Sequence, residues 1–496
     1  MAEPENQLMQ VRLEKLQNLR DQGIDPYPHS YDRTHTSNQA TDLLKLAEEA
    51  NEGEDEARTE TVSVGGRIVR YRGMGRATFA DIQDGEGNIQ LLFRRNSLTD
   101  TYETLKELDI GDWIGAAGPV FRTRTGEATI EVQEWTVLSK SIRNLPEKWH
   151  GLTDVEARFR QRYLDLISNE DARRIAIMRS RMISALRRFM DGRGFMEVET
   201  PILVQVPAGG SARPFATHHN SLDRDLYLRI ATELHLKQLV VGGFEKVYEI
   251  GRVFRNEGLD VTHNPEFTTM ESYEAFADYN DVMAMVEQMF FTLAQGVLGS
   301  ATVEFEGETI DFTPPWPRLD LREEIKQRSG IDFLEAPDIE SLKTEMKAIG
   351  LDAGHQMSWG GLLDKLLSDT VEPHLVQPSF LVDYPVEMSP LAKKKRGNPL
   401  LVERFEGFVA GMEICNAFTE LNDPIDQRQR MEKQEQLRGE FENEDSDRLD
   451  EDFLVAIEHG MPPTGGLGVG IDRLAMLFAG QRSIREVVLF PQLRSR

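Results

Sequence analysis

The sequence predicts an α+β chain in which a small closed β-barrel precedes a larger domain on a mostly antiparallel sheet with flanking helices. Three observations carry this expectation. Apolar residues recur at every second position in short runs between residues 61 and 138. After Pro146 the spacing becomes helical. Farther on, strands and helices alternate without the regular repeat of a parallel βαβ fold. At 496 residues the chain has room for about three domains at roughly 150 residues each.

In chain order, residues 1–60 read as a helical extension and an acidic linker. Leu8, Val11, Leu16 and Leu19 fall near helical spacing among Arg12, Lys15 and Arg20, which predicts an amphipathic helix over 5–22. Gly23 and the Pro26/Pro28 pair end it. The stretch up to Glu60 predicts a further helix and a solvated linker. Residues 61–145 read as the barrel, with runs at Val62–Val64, Arg67–Arg70, Thr78–Ile82, Ile89–Phe93, Trp113–Ala117 and Ala128–Leu138. Turn signals such as Gly65-Gly66 and Asp84 to Asn88 separate them, and one helix is expected over Leu98–Leu108. This count of short strands suits a barrel of the OB kind, whose sheet also binds single-stranded bases by stacking. Residues 146–496 read as the α+β domain, with a small helical insertion at about 320–375. It begins with Phe159 to Ile167 and a long helix bearing Ile175, Met178, Met182, Leu186 and Phe189. That helix stops at Gly192-Arg193-Gly194, and a strand follows over Phe195–Glu199.

Composition excludes several function classes. The chain is 40% hydrophobic and 28% charged, as expected of a soluble globular protein. No window approaches about 18 consecutive apolar residues, and Met1 to Gln10 has no basic flank, so neither a membrane span nor a signal peptide is expected. Cys415 is the single cysteine, which excludes an intrachain disulfide or a cysteine-based zinc site and suits a reducing cytoplasm. The formal charge of −27 argues at first against a nucleic-acid partner. Yet residues 37–60 hold eight acids and two bases, and residues 421–452 twelve acids and five bases, whereas residues 61–200 hold 22 bases against 20 acids. The front of the chain is differently charged from the average.

Three segments combine groups that could carry chemistry. A strand over 247–256 puts Glu249, Val253 and Arg255 on one face, and a second over 266–273 puts Phe267, Thr269, Glu271 and Tyr273 on one face because side chains repeat every two residues. Such a hairpin could present a guanidinium for phosphate and an aromatic plate for adenine, or it could be a half-buried hairpin with a surface ion pair. In the segment Arg404 to Glu420, Glu406 and Glu413 have opposite parity on a regular strand, so convergence needs a bend, for which Gly411 is placed. Two such carboxylates beside phosphate fit Mg²⁺; otherwise they are separate surface acids. Finally, Gly466, Gly468 and Gly470 leave one strand face bare, and Arg473 sits in the helical turn that follows. The chain has no Gly-Lys dipeptide, so a P-loop is excluded. Weaker signals are His218-His219, without metal spacing, and the basic run Lys393 to Arg396.

Together these segments resemble the class II aminoacyl-tRNA synthetases, and more closely the lysyl-tRNA synthetases of bacterial type, over residues 5–496. The first motif is similar to the helix ending in Gly194 to Pro201, the second to Phe254–Glu257 and His263–Phe267, and the third to Gly468–Arg473. The resemblance implies activation of L-lysine by ATP with Mg²⁺ ions, then transfer to tRNA(Lys), in a cytoplasmic homodimer. It implies that Arg255 holds the α-phosphate and the amino-acid carboxylate, Arg473 the γ-phosphate, and Phe267 the adenine, with Glu257, His263 and Asn264 around the nucleotide. Glu406 and Glu413 would bind Mg²⁺. Gly209 and Glu233 would take the α-amino group, Asn416 the carboxylate, and Glu271, Tyr273 and Glu420 the ε-ammonium. In the OB domain Phe79 would stack on an anticodon base, with Gln90 and Glu134 at base edges. The Glu271/Glu420 pair opposes one alternative, an aspartyl- or asparaginyl-type enzyme, while the intact Arg255, Glu406, Glu413 and Arg473 oppose another, a decayed binding or regulatory relative.

Overall fold

The computed structural model describes residues 4–50, 57–99, 101–146, 152–210, 212–354, 358–441 and 449–494. It divides into two compact units, residues 1–151 and 152–496.

Among the described residues the first unit is a six-stranded barrel with helices Pro4–Asp21 and Ser37–Ala50. The long strand Arg58–Met74 pairs with Ala77–Gln83 on one side and with Trp113–Arg122 on the other, which closes the sheet on itself. Alternation decides what is inside: Val62, Val64, Ile68, Ala80 and Ile82 are buried in the core. Leu19 and Leu44 from the two helices join that core. Arg12 also ties the first helix down, donating to the Ile110 and Ser141 carbonyls. The helix expected over Leu98–Leu108 is shorter and tighter, a 3₁₀ segment at Tyr102–Glu107 that buries Tyr102 and Leu105. The end of the expected acidic linker, residues 51–56, lies outside the described residues.

The second unit is built on a sheet that, among the described residues, has eight strands. From edge to edge they are Arg318–Asp320, Ser379–Val382, Arg404–Val409, Met412–Thr419, Thr464–Gly470, Glu266–Ala275, Lys246–Phe254 and Met196–Glu197. Only the two edge pairings are parallel, so the centre is antiparallel as expected. The helix Glu170–Gly192 buries Ile175, Met182 and Leu186 against the core it shares with the helices Tyr279–Leu298 and Ile471–Ala479. The expected strand Phe195–Glu199 contracts to Met196–Glu197, because it pairs only with Val247 and Tyr248 before the chain turns away at Pro201. The insertion carries helices Leu321–Ser329, Ile339–Ala348 and Trp359–Thr370, whose core continues into the sheet through Leu381 and Phe408.

Candidate active site

The cleft of the second unit lies over the centre of the sheet, with a cavity of about 280 Å³. Its floor is the Thr464–Gly470 strand. Gly466, Gly468 and Gly470 stand opposite Tyr273, Glu271 and Thr269 on one neighbour, and Gly466 and Gly468 opposite Phe418 and Asn416 on the other. A ligand can therefore reach backbone between two rows of functional side chains. At Gly466 a Cβ would collide with Glu420 Oε1, so glycine is required there by close approach.

The hairpin Lys246–Phe254 and Glu266–Ala275 delivers what its spacing foretold. Arg255, Phe267, Glu271 and Tyr273 all line the cleft. The Arg255 guanidinium lies 5.3 Å from the Phe267 ring centre, and its buried Nε has no acceptor among the described residues. Glu249, on the same face, does not reach the cleft. Arg229 binds its Oε1 at 2.6 Å, and Thr200 donates to Oε2 at 2.7 Å.

At one end of the cleft three acids gather. Glu271 accepts from the Thr232 amide at 3.3 Å and from the Tyr273 hydroxyl at 3.4 Å. Burial pushes its carboxyl up to about 7, and the nearby charge of Glu233 adds to the effect. Glu420 is wholly buried; its carboxylate is ion-paired with Lys237 and otherwise lacks a donor among the described residues. Burial raises it well above the usual range; Lys237 opposes the shift, while Glu233 and Glu271 add to it. Glu233 opens the helix Glu233–Val241, and a Cβ added to Gly209, at φ +89°, would lie 3.5 Å from the Glu233 Cβ. Lys237, one turn on and buried, donates to Glu233 Oε1 at 2.5 Å. Sequence reasoning missed Lys237; its signal was the four-residue spacing from Glu233 on an otherwise apolar helix face.

At the other end Arg473 donates to the Glu413 carbonyl at 2.7 Å and to its carboxylate at 3.1 Å. His263 joins the group through Nε2, 3.3 Å from Arg473, while its Nδ1 is 2.8 Å from Asp260. Glu257 and Asn264 line the cleft, but Asn264 spends its amide within the chain, on the Glu266 carbonyl and the Gln492 amide.

The expected bend between Glu406 and Glu413 is corrected. The segment is a hairpin, not one strand, and Gly411 with Ala410 forms its turn at positive φ. The bulge falls at Ile414, the extra residue between the Gly407–Cys415 and Phe408–Glu413 pairs. It sends both Ile414 and Cys415 into the core and leaves Glu413 at the cleft. Glu406 lies beside the cleft, accepting from Arg404 at 2.5 Å and Tyr384 at 2.8 Å. Burial pushes it up to about 7; Arg404 opposes this and Glu413 adds to it. Arg404 also donates to Asn416 Oδ1 at 3.0 Å, which leaves the amide NH₂ of Asn416 as the donor for a ligand. The basic run is not a free polyanion site, since Lys394, Lys395 and Arg396 pair with Asp426, Asp383 and Asp278.

On the barrel, Phe79 is half-buried and stands between Arg72 and Leu92 on neighbouring strands. Gln90 shares that face, but both ends of its amide are engaged, with Glu127 at 2.7 Å and Thr129 at 3.0 Å. Glu134 is exposed on the last strand of the sheet, which pairs with Trp113–Arg122 rather than near Phe79.

Both units match known families, and the match places the chain among the class II tRNA synthetases. The family described as tRNA synthetases class II (D, K and N) matches residues 154–494, and that described as an OB-fold nucleic acid binding domain matches residues 62–138. A lysine–tRNA ligase of Dehalococcoides mccartyi (strain ATCC BAA-2266 / KCTC 15142 / 195) is 53% identical over 494 residues, covering 99% of this chain and 98% of the relative. The lysine–tRNA ligase of Bacillus subtilis (strain 168) is 48% identical, again over 99% and 98% of the two chains. The chain belongs to the lysine–tRNA ligase family. Among the described residues no helix is long and apolar enough to cross a membrane.

Proposed function

We infer that this chain activates L-lysine with ATP and transfers it to tRNA(Lys). The observation that carries the choice of amino acid is the pair Glu271 and Glu420. A wholly buried carboxylate paired only with Lys237 among the described residues, beside a second one held toward its neutral form and a phenol, is a site for a further ammonium group. Tyr273 completes that end. Glu233 and the Gly209 backbone take the α-amino group, and Asn416 with Arg255 the carboxylate.

In the first step a lysine carboxylate oxygen bonds to the α-phosphorus of ATP and the bond to pyrophosphate breaks. No proton moves, so the work is positioning and charge stabilisation. Arg255 reaches both the carboxylate and the α-phosphate, and Arg473, held by Glu413, takes the γ-phosphate. Phe267 stacks on adenine, with Glu257, His263 and Asn264 around the nucleotide. In the second step the terminal ribose hydroxyl of tRNA attacks the carbonyl, loses its proton, and AMP leaves with the bonding electrons.

Magnesium ions arriving with ATP fit the donor set. Glu413 and Glu406 are close enough that the charge of Glu413 raises Glu406, a repulsion that a cation relieves. The ions would neutralise phosphate charge. On the barrel, Phe79 stacks on an anticodon base, with Gln90 and Glu134 as edge contacts. The enzyme works in the cytoplasm as a homodimer, and the exposed Ile177, Met196, Ile202 and Leu203 are apolar side chains such a pairing would cover. Light scattering at twice the chain mass supports the dimer, and the mass of a single chain refutes it.

The test of the activity is ATP–pyrophosphate exchange against a panel of amino acids. Exchange with lysine is expected. Exchange with aspartate but not lysine would overturn the specificity, and none at all would overturn the activity.

A further inference from the structure

Lys237 is fully buried, yet it carries a charge into the amino-acid end of the cleft. Its ammonium donates to Glu233 Oε1 at 2.5 Å and is ion-paired with Glu420. Three aromatic rings enclose it, with centres 6.0 Å away at Tyr273, 5.4 Å at Phe418 and 5.8 Å at Phe453. Its pairs are thus with the two acids assigned above to the two ends of the substrate, the α-amino group and the ε-ammonium.

We propose that Lys237 is a built-in third cation of the lysine pocket, which positions Glu233 and Glu420 and leaves two negative charges for a diamino acid to fill. The proposal rests on the lysine-pocket reading above. The count is direct: Glu233, Glu271 and Glu420 are three carboxylates in mutual electrostatic contact, and Arg255 is reserved for the substrate carboxylate. With Lys237 present, the α- and ε-ammonium groups of lysine complete the balance. A monoamine leaves one buried carboxylate unpaired, which is costly.

The groups facing the Lys237 ammonium are Glu233 on its own helix, Glu420 after the Met412–Thr419 strand, and Glu271 and Tyr273 on the Glu266–Ala275 strand. Phe418 and Phe453 supply only rings. Burial pulls the ammonium down, but Glu233 and Glu420 outweigh it, so the group stays charged. Loss of this cation removes the group that opposes the upward shift of Glu420, so that carboxyl rises further. Lysine must then displace more proton from this end of the pocket than it does in the native protein at the same pH.

The experiment is lysine-dependent ATP–pyrophosphate exchange between pH 6 and 9 by the full chain and by K237M, K237R and K237A. Native exchange with lysine is the control for the pocket reading; its absence refutes that reading and the proposal with it. With native exchange present, K237M should lose about tenfold or more in kcat/KM for lysine at neutral pH, and its pH midpoint should rise by about 1–3 units. The KM for ATP should hold. K237R, which keeps the charge, should recover part of the loss, and millimolar methylammonium should recover exchange by K237A while leaving the native enzyme unaffected. A folded K237M with native KM for lysine and a native pH profile overturns the proposal. Should the variants not fold, ¹³Cε-lysine NMR of the native enzyme decides: a buried lysine signal that resists titration and shifts on adding free lysine supports it, and one indifferent to lysine overturns it.

Discussion

Glu420 and Glu271 show how much a single position decides in this cleft. Both carboxylates are held toward their neutral forms while the pocket is empty, and a bound ammonium reverses that preference. Glu271→Gln should therefore abolish lysine activation, because a buried ion pair with one partner removed loses about 3–5 kcal/mol, roughly two to four orders of magnitude in kcat/KM. ATP binding, measured by fluorescence titration, should persist; retained exchange with lysine would refute the pocket. The same residue sets a pH dependence. Its folded-state value of about 7 lies above the ordinary 4.5, so in the free protein it contributes stability that is complete below about 4.5 and lost as pH rises through about 7. Lysine needs the ionised form, so its affinity should strengthen as pH rises across that window. Calorimetry in buffers of different ionisation enthalpy should show proton release near pH 7. No release would mean that Glu271 is already ionised.

Among elements, the strand Thr464–Gly470 makes the strongest demand on sequence. A Cβ on Gly466 meets Glu420 Oε1 and comes within 2.8 Å of Tyr273, whereas at Gly468 the nearest atom is 3.7 Å away. The two glycines therefore serve differently: one admits the buried acid, and the other keeps the groove open. Gly468→Val should keep the melting temperature within a few degrees and still exclude both substrates, seen as lost protection by ATP and lysine against thermal unfolding. Gly466→Ala should instead destabilise the ammonium end and raise the KM for lysine. Alternation made the bare face legible in the sequence, as it did the Arg255, Phe267, Glu271 and Tyr273 constellation, since a regular strand has a fixed period of two. Gly411 marked a break in the chain, but the bulge at Ile414 was not legible, because a bulge breaks that period and nothing in Glu413 to Cys415 marks where. Lys237 stayed hidden for another reason. A lysine on a helix reads as solvent-facing, and only the packing of Phe418, Tyr273 and Phe453 around it reveals a buried charge.

At the scale of the whole molecule, the charge of −27 and the binding of tRNA are reconciled by the division of labour between the two units. The barrel's basic residues are largely spent on neighbours: Arg58 and Arg94 on Glu131, Arg70 on Asp81, and Arg122 on Glu48. Sequence counting located the less acidic front of the chain but could not show this cancellation, which depends on which strands are adjacent. Recognition of the anticodon must then lean on stacking more than on net charge, with each phosphate contact adding about −0.7 to the salt slope for single-stranded nucleic acid. Phe79, half-buried between Arg72 and Leu92, is the aromatic proposed above for that stack. Phe79→Ala should lower tRNA charging by about 1–3 kcal/mol, roughly ten- to a hundredfold. Lysine-dependent ATP–pyrophosphate exchange should be unchanged, because every group assigned to activation lies in the second unit. An equal fall in exchange and charging would mean that the substitution unfolds the protein or that Phe79 serves the catalytic unit. Unchanged charging would remove Phe79 from the anticodon interface.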